Sequence, residues 1–530
     1  MKPTHHAKIN QSIKQKTEGS GKMCDPVDFD KAILLTGYGK FHYEAFTACA
    51  ICIICVGFQN GLAAYIFPAA QCELRLTSFE LSLLNVGFLV GGVLSSFLWG
   101  VLADAKGRRS VLVFTHLANA SVTVLGATNG SMVGVILCRF FNGFLIGGPG
   151  SIVFSYLGEF QPAKCRSSVI CYSGVFFTGA WLLLPLLAWI VLPMELSFSM
   201  GSFFIVTPWR LFMLILVVPE VLVGFWFLRL PESPKFFLAR GDSTKALLVL
   251  RKIFATNTGQ QPEDFPVKTL LKQRNENPLS RQCKGKVQEM YNQFKSLFKP
   301  PLLIFTLLST SIMFANMFGV FGLGWWLPEL FVRFERFHHL HPNRTVTVKE
   351  LALLNDTKTC KPSFEPAVIE STVIMGVTSL VANAASGWLA ARIPLKVIPC
   401  ATMSVGGLSA MVIFWLSSAW QNLVVASVFQ AAMVTANMTI GGVVVELFPT
   451  GVGAMAICLT MCAGRVGAMA SNLVFGLWMD RRCEIPIFVV AGSVLIGAGL
   501  CFFIPRGSGG EREKRKVVEV AVVTHFDTKL

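Results

Sequence analysis

The sequence predicts an all-α membrane protein with twelve transmembrane helices, arranged as two six-helix halves. Three observations support this fold class. Only 14% of the 530 residues are charged and 53% are hydrophobic, whereas about a quarter of the residues in a soluble domain are charged. Long apolar runs recur along the chain, and most basic residues fall in alternate connections between these runs.

Twelve apolar runs are long enough to cross the hydrocarbon core of a bilayer. Each is expected to be a helix, because a helix satisfies its own backbone hydrogen bonds in lipid. The runs are numbered as spans 1 to 12 and cover, approximately, residues 44–69, 79–102, 110–129, 131–157, 168–193, 208–229, 301–327, 367–391, 397–417, 421–445, 453–478 and 485–504.

The positive charges give these spans an orientation. The first 43 residues are polar and rich in Lys, and further basic residues follow spans 2, 4, 6 and 12. All these segments share one side if the chain begins in the cytoplasm, which is the side where Lys and Arg accumulate. Arg481 and Arg482, after span 11, do not fit this pattern. The net charge of +16 is therefore attributed to topology and not to nucleic-acid binding.

This topology divides the chain into segments. We expect a cytoplasmic N-terminal arm at 1–43, a six-helix half at 44–229, a cytoplasmic loop at 230–300, a second half at 301–504 with an outer loop at 332–365, and a cytoplasmic tail at 505–530. The outer loop contains two N-glycosylation sequons, at Asn343 and Asn355. Three cysteines fall in predicted outer loops: Cys72, Cys360 and Cys483. Whether two of them form a disulfide bond or all stay free thiols is left open by the sequence.

A charged turn joins spans 2 and 3. It contains Gly100, Asp104, Gly107, Arg108 and Arg109. Small residues let two helices approach closely, and an Asp here can pair with a base or cap a neighbouring helix. A solvated basic turn is the simpler alternative. The spacing resembles the motif between spans 2 and 3 of the major facilitator superfamily, which implies a gate brace between the two halves.

Further positions extend this resemblance. Glu159 and Arg166 follow span 4, and Glu446 closes span 10, which is similar to the sugar-porter and organic-ion branch of the superfamily. The resemblance implies a major facilitator fold with alternating access around a cavity at the membrane midplane. It also implies gating roles for these three residues and for the charged turn.

The chain also resembles the synaptic vesicle glycoprotein 2 family, on segments 37–42, 153–160 and 198–210. In that family span 1 carries acidic residues in its middle. Here Gln59 and Asn60 occupy the matching stretch, with no acid. A proton-coupled carrier needs a titratable group in its pathway, so the resemblance does not imply ordinary proton coupling.

Three charged residues stand out because they lie well inside the apolar runs: Arg139 in span 4, Glu220 in span 6 and Arg465 in span 11. A charge at the bilayer centre costs about 3 kcal/mol on insertion scales, so such residues are often functional. One interpretation is a site that prefers anionic or zwitterionic solutes, since two of the three are Arg. The alternative is a buried structural pair or a side chain that reaches the interface.

Amide and aromatic side chains recur in the same runs. Amides can line a polar cavity between the halves, or they can simply join helices. Aromatic residues can form the cavity walls, or they can pack in the interior. The candidates are the amides Gln59, Asn60, Asn142, Asn316, Asn383, Gln430, Asn437 and Asn472, and the aromatics Phe176, Phe177, Trp181, Trp325 and Trp326.

These features predict a monomeric membrane carrier of a small polar organic solute, working by alternating access. No nucleophile–base or metal-ligand motif occurs, so we expect neither an enzyme nor a bound cofactor or metal. The alternative is a protein of an intracellular vesicle or the plasma membrane that binds partners or lipids and does not transport. The family resemblance and the missing acids favour this alternative, whereas the gate motif favours a carrier.

Overall fold

The structure is a computed structural model. It describes residues 26–74, 77–194, 198–200, 204–271, 294–340, 366–390, 396–448, 450–479 and 484–505, with the single residues 292, 393, 394 and 482. The predicted outer loop from residue 341 onward and the predicted tail from residue 506 onward therefore lie outside the described residues. So do the sequons at Asn343 and Asn355 and the side chains of Cys72, Cys360 and Cys483.

A helix covers each of the twelve predicted spans, which confirms the all-α membrane fold. In the described part of the chain, ten helices are long and apolar enough to cross a bilayer, and the helices of spans 8 and 9 complete the set. Spans 1 to 12 are Lys40–Gly61 continued by Ala63–Leu74, Ser78–Lys106, Arg108–Thr128, Met132–Glu159, Ala163–Val191, Pro208–Arg229, Leu302–Phe321 continued by Leu323–Leu340, Pro366–Ala390, Val397–Ile413, Ala419–Leu447, Thr450–Trp478 and Glu484–Phe502.

The spans pack as two halves of the same design. In the first half, span 2 packs on 4, span 3 on 4 and 6, and span 1 on 5. In the second half, the equivalent pairs are 8 on 10, 9 on 10 and 12, and 7 on 11. The halves meet where span 2 packs on 11 and span 5 on 8. These last two pairs are also equivalent, so an internal two-fold relation holds throughout, as in many transporters.

Glycine permits close packing at two equivalent contacts. A Cβ at Gly57 in span 1 would lie 3.2 Å from the Phe177 carbonyl oxygen of span 5 and would overlap Ala180. A Cβ at Gly467 in span 11 would overlap the Phe314 carbonyl of span 7. Lipid tails are as apolar as side chains, so close backbone approach is a main source of helix association in membranes.

A small folded unit, here called the collar, comprises residues 26–39 and 230–271. Its helices are Phe29–Leu35, Pro234–Ala239 and Ser243–Thr258, followed by a 3-10 turn at Pro262–Asp264. Apolar side chains from the arm and the loop form one buried cluster, which includes Phe29, Ile33, Leu250 and Phe265. The arm and the loop are thus joined in one unit at the end of the first half.

Two local features complete the description. Asp242 caps the collar helix by accepting a hydrogen bond from the Lys245 backbone N–H at 3.0 Å. That bond, with the Lys245 ammonium, holds the pKa of Asp242 below its ordinary value. Between spans 5 and 6, strands Phe198–Met200 and Phe204–Val206 pair as a short antiparallel hairpin, which the sequence analysis did not predict.

Candidate functional site

Two spans are divided at equivalent places in the two halves. Span 7 is kinked at Gly322, whose ψ of −97° is not helical. Span 1 is divided at Leu62, but this residue keeps helical φ and ψ of −51° and −41°, and its N–H bonds to the Phe58 carbonyl. Discontinuous helices in corresponding positions of two repeats commonly mark a transporter's binding site. The sequence signal was a Gly in each apolar run, which the sequence analysis did not separate from the many other glycines.

A cavity lies between the halves next to these two positions. Its volume is about 510 Å³, including space that is open to solvent. Residues next to both positions line it, and spans 5, 8 and 10 supply the rest of the wall. None of the described residues that line it carries a charge; they include Tyr65, Trp181, Trp325, Ser379 and Gln430.

Three residues that line the cavity contain buried polar atoms that have no hydrogen-bond partner among the described residues. These atoms are the indole N–H groups of Trp181 and Trp325 and the side-chain oxygen of Gln430. Trp325 and Gln430 are each only 5% exposed. Buried polar groups in folded proteins nearly always have a partner, so these two donors and one acceptor are suited to a ligand or to ordered water.

The buried charges of the first half form a separate network between spans 1, 3, 4 and 6. The carboxylate of Glu220 accepts hydrogen bonds from the amide nitrogen of Gln59 at 2.8 Å and of Asn119 at 2.9 and 2.8 Å. Arg139 donates to the Gln59 side-chain oxygen at 3.2 Å. Asn142 donates to the Asn119 side-chain oxygen at 2.8 Å. The Gln59 amide therefore bridges the buried cation and the buried anion.

This network is sealed from solvent. Glu220 is 1% exposed and Arg139 is 3% exposed, and Gln59 and Asn142 are equally buried. The Arg139 guanidinium lies 4.5 Å from the centre of the Phe88 ring. The structure thus brings together four of the predicted cavity residues, but within one half and not among the residues that line the cavity. Asn119 is a fifth member that the sequence analysis did not select.

Arg465 joins the two halves. Its guanidinium donates to the Gly92 carbonyl of span 2 and to the Ser96 hydroxyl at 3.0 Å. Nearby, Asn85 of span 2 donates to Asn472 of span 11 at 3.1 Å. Arg465 therefore helps to hold the contact between spans 2 and 11 and does not line the cavity.

The remaining predicted cavity residues fall into three groups: some line the cavity, some pack in the hydrophobic cores, and some bond to the helix backbone. Trp181 lines the cavity, and Phe177 packs against the hydrophobic cores of both halves. Asn60 donates to the Val56 carbonyl of its own helix at 2.7 Å. Asn316 donates to the Met433 carbonyl of span 10 at 3.1 Å. The side-chain oxygens of Asn316 and Asn437 are buried without a partner in the described structure.

The charged turn between spans 2 and 3 makes its described contacts within the first half and the collar. Arg108 pairs with Glu159 at 2.9 Å and with Asp104 at 3.3 Å. Arg109 donates to the Phe227 carbonyl of span 6 at 2.9 Å.

The backbone around this turn fits the same arrangement. The backbone N–H of Arg109 donates to Glu232 of the collar at 3.1 Å. Gly107 has φ +102°, which only Gly adopts easily. Gly100 has open space around it. The side chains of Arg166 and Glu446 are outside the described part.

The comparisons with known proteins agree with this architecture. A profile of the Major Facilitator Superfamily matches residues 49–472. Human synaptic vesicle glycoprotein 2B is 27% identical over 317 residues, which are 56% of this chain and 46% of that protein. Synaptic vesicle glycoprotein 2A of Rattus norvegicus is 26% identical over 312 residues, 56% of this chain and 42% of that protein. The chain thus matches less than half the length of these relatives.

Solved structures share the fold at much lower sequence identity. The inward-open xylose transporter XylE from E. coli superposes with a TM-score of 0.64 at 15% identity, covering 90% of this chain and 99% of the transporter. Its partially occluded inward-open form gives a TM-score of 0.63, with 88% and 99% covered. These likenesses show the fold, including its twelve helices.

Proposed function

The chain belongs to the Major Facilitator Superfamily, and on that premise we propose that it carries a small, polar, uncharged organic solute across a membrane by alternating access. The observation that carries this proposal is the cavity between the halves. It lies where spans 1 and 7 are divided, and its wall residues Trp181, Trp325 and Gln430 contain two buried N–H donors and one buried oxygen acceptor that have no partner among the described residues. Such a wall of aromatic faces with a few polar atoms is typical of small-molecule sites.

The charges of the protein support an uncharged solute. The guanidinium of Arg465 bonds to span 2, and that of Arg139 bonds to Gln59. No cation or anion is among the described residues that line the cavity. A charged solute would therefore lose its hydration without gaining an opposite charge, which is costly in a low-dielectric site.

Hydroxyl groups satisfy the unmatched atoms best, because each can accept from an indole N–H and donate to an amide oxygen. The structural neighbours are named as xylose transporters. Xylose carries several hydroxyl groups and no charge, so it is the first solute to test.

The distribution of charge along the chain also supports an orientation of the protein in the membrane. The chain is an integral membrane protein, and we propose that both termini and the collar are cytoplasmic, because basic residues concentrate in those segments. We further propose glycans at Asn343 and Asn355, and residence as a monomer in an intracellular vesicle or the plasma membrane. The charged turn would brace the first half as it moves, with Arg108 held by Glu159 and Asp104.

A thermal-shift screen of the purified protein tests this proposal. A ligand that binds the folded state raises its apparent stability, so uncharged polyols and sugars should raise the midpoint while anionic and cationic solutes should not. Trp325→Phe removes one N–H and should weaken binding roughly two- to tenfold. Trp420→Phe, whose ring is exposed, is the matched control. Stabilisation by charged solutes alone would refute an uncharged ligand.

A further inference from the structure

Two thiols and a thioether share one face of span 11. Cys458, Met461 and Cys462 are spaced by three and four residues, and side chains at these spacings are neighbours on a helix surface. The two thiols are close enough to interact electrostatically. None of the three residues lines the cavity between the halves, so the proposed solute site leaves them without a role.

This face of span 11 is turned toward span 2 of the other half. Arg465 follows Cys458 by seven residues, which is two turns along the same face. Its guanidinium donates to the Gly92 carbonyl and, at 3.0 Å, to the Ser96 hydroxyl. Cys458 is exposed and Met461 is 37% exposed. The sulfur atoms are therefore accessible at the contact between the halves and are not sealed inside one half.

Sulfur ligands of this kind select soft metal ions. Thiolates and thioethers bind Cu(I), whereas Mg²⁺ and Ca²⁺ take oxygen ligands. A helix places the Cβ atoms of residues i and i+4 about 5–6 Å apart, and two thiolate–metal bonds, each about 2.3 Å as for zinc, span about 4.6 Å. Cys458 and Cys462 can therefore hold one ion between them, with the Met461 sulfur as a third ligand. No group of three His, Cys, Asp or Glu side chains that suits a metal ion occurs in the described part of the chain; this set differs because its third member is a thioether.

The charge of Arg465 favours a monovalent ion over a divalent one. When two thiols bind Cu(I), both protons leave to the solvent and the complex carries one net negative charge. The Arg465 guanidinium is close enough to interact electrostatically with both thiols, so the ion, its ligands and Arg465 are neutral together. Zn²⁺ at the same thiols would leave the positive charge of Arg465 unbalanced, which is costly inside a membrane, and Zn²⁺ prefers four ligands.

We propose that Cys458, Met461 and Cys462 bind a monovalent soft metal ion, represented by Cu(I), and that the bound ion holds spans 2 and 11 apart. The two spans run antiparallel, so the same seven-residue spacing places Cys458 opposite the region of Gly100. A Cβ at Gly100 would meet open space, and the ion fills this space. The binding part concerns the protein alone, whereas any effect on transport rests on the proposed carrier function.

Competition for Cu(I) tests the binding part without any solute. The coloured complex of Cu(I) with bicinchoninate is titrated with the purified, reduced protein in the absence of oxygen, and the absorbance reports how much Cu(I) the protein removes. The double variant Cys458→Ser, Cys462→Ser should bind one ion fewer than the unchanged protein. The double variant Cys400→Ser, Cys501→Ser also removes two thiols, but from two different helices, so it is the matched control. Equal binding by all three proteins, or an equal loss in both variants, would overturn the site.

Variants of the neighbouring residues test the coordination and the charge balance. Arg465→Gln removes the balancing charge and should weaken Cu(I) binding roughly tenfold, whereas Arg465→Lys keeps the charge and should retain most of the affinity. Met461→Leu removes the thioether, so X-ray absorption at the copper edge should count one sulfur ligand fewer. Unchanged affinity in Arg465→Gln would contradict the charge balance, and an unchanged sulfur count in Met461→Leu would contradict the third ligand.

Uptake into liposomes tests the effect of the ion on transport. Cu(I) should lower the initial rate of uptake of the solute that stabilises the protein most, because spans 2 and 11 must approach each other at the collar end in every cycle. The double variant Cys458→Ser, Cys462→Ser should transport at the same rate with and without Cu(I). Equal inhibition of both proteins, or of neither, would overturn this part. If no solute enters, the proposed carrier function fails, and the competition experiment still decides whether the metal site exists.

Discussion

The amide side chain of Asn257 is one of the groups that join the collar to the membrane domain. Its oxygen accepts from the Phe41 backbone N–H at 3.0 Å, and its nitrogen donates to the carbonyls of Thr36 and Gly37 at 3.1 and 3.0 Å. The same nitrogen lies 3.2 Å from His42. These contacts fix the chain where the arm turns into span 1, so this one residue links two segments that are more than two hundred positions apart.

Asn257→Ala should loosen the collar. The Phe41 N–H and the Thr36 carbonyl would lose this partner, and each unsatisfied group costs about 1–3 kcal/mol if it stays buried. We expect a lower unfolding midpoint and faster cleavage of the collar in limited proteolysis. Gln260→Ala, at an exposed position of the same segment, is the control. Equal cleavage of the two variants would contradict a linking role for Asn257.

Part of the candidate site was predictable from the chemistry of single residues. Arg139 and Glu220 stand out because a charge inside an apolar run is costly, and Gln59 and Asn142 stand out as amides in the same runs. The sequence could not show that these residues bond to one another and not to a solute. That depends on which helices pack against one another, and the apolar runs are too similar in composition to show which helices are neighbours.

The division of spans 1 and 7 is the decisive feature at the scale of elements. A hydropathy pattern predicts that a run crosses the membrane, and all twelve runs were found this way. It does not predict where a helix is kinked, because a single irregular residue such as Gly322 barely changes the local composition. A cavity between the halves was expected, and Trp181, Trp325 and Gln430 were among the candidates for its wall. The other lining residues could not be selected, since Gly61, Ala64 and Met375 are ordinary residues of a membrane helix.

Gly322→Ala should disturb the kink in span 7. A Cβ there would lie 2.5 Å from the Phe318 carbonyl oxygen and 2.9 Å from the Ser471 Cβ. Overpacking of this kind typically costs about 1–3 kcal/mol, so the unfolding midpoint should fall and solute uptake should slow. Gly492→Ala is the control, because a Cβ there meets nothing within 4 Å. If both variants behave alike, the tight backbone at Gly322 has no special role.

At the scale of the whole molecule, the side chains of span 11 that lie along its contact with span 2 become less buried toward the collar. Asn472 is buried against Asn85, and Arg465, two turns further along, is half-buried against Gly92. Cys458, two turns beyond that, is exposed. The two helices run antiparallel, so the same spacing places Cys458 opposite the region of Gly100, whose Cβ position is open.

Closure at the collar end should therefore bring Cys458 to Gly100. In a Gly100→Cys variant, oxidation should form a disulfide with Cys458 and stop uptake, and a reductant should restore it. The same variant with Cys458→Ser should be insensitive to oxidation. A Gly100→Cys protein that never cross-links, although it transports, would show that these two helices do not close in this register.

The central claim is that the cavity between the halves carries an uncharged solute across the membrane. The most direct measurement is the time course of solute uptake by the purified protein in liposomes, compared with the Trp325→Phe and Gln430→Leu variants. The account predicts saturable uptake of an uncharged polyol or sugar that falls in both variants and is unchanged in Trp420→Phe. Uptake that neither cavity variant alters, or uptake of charged solutes alone, would contradict it.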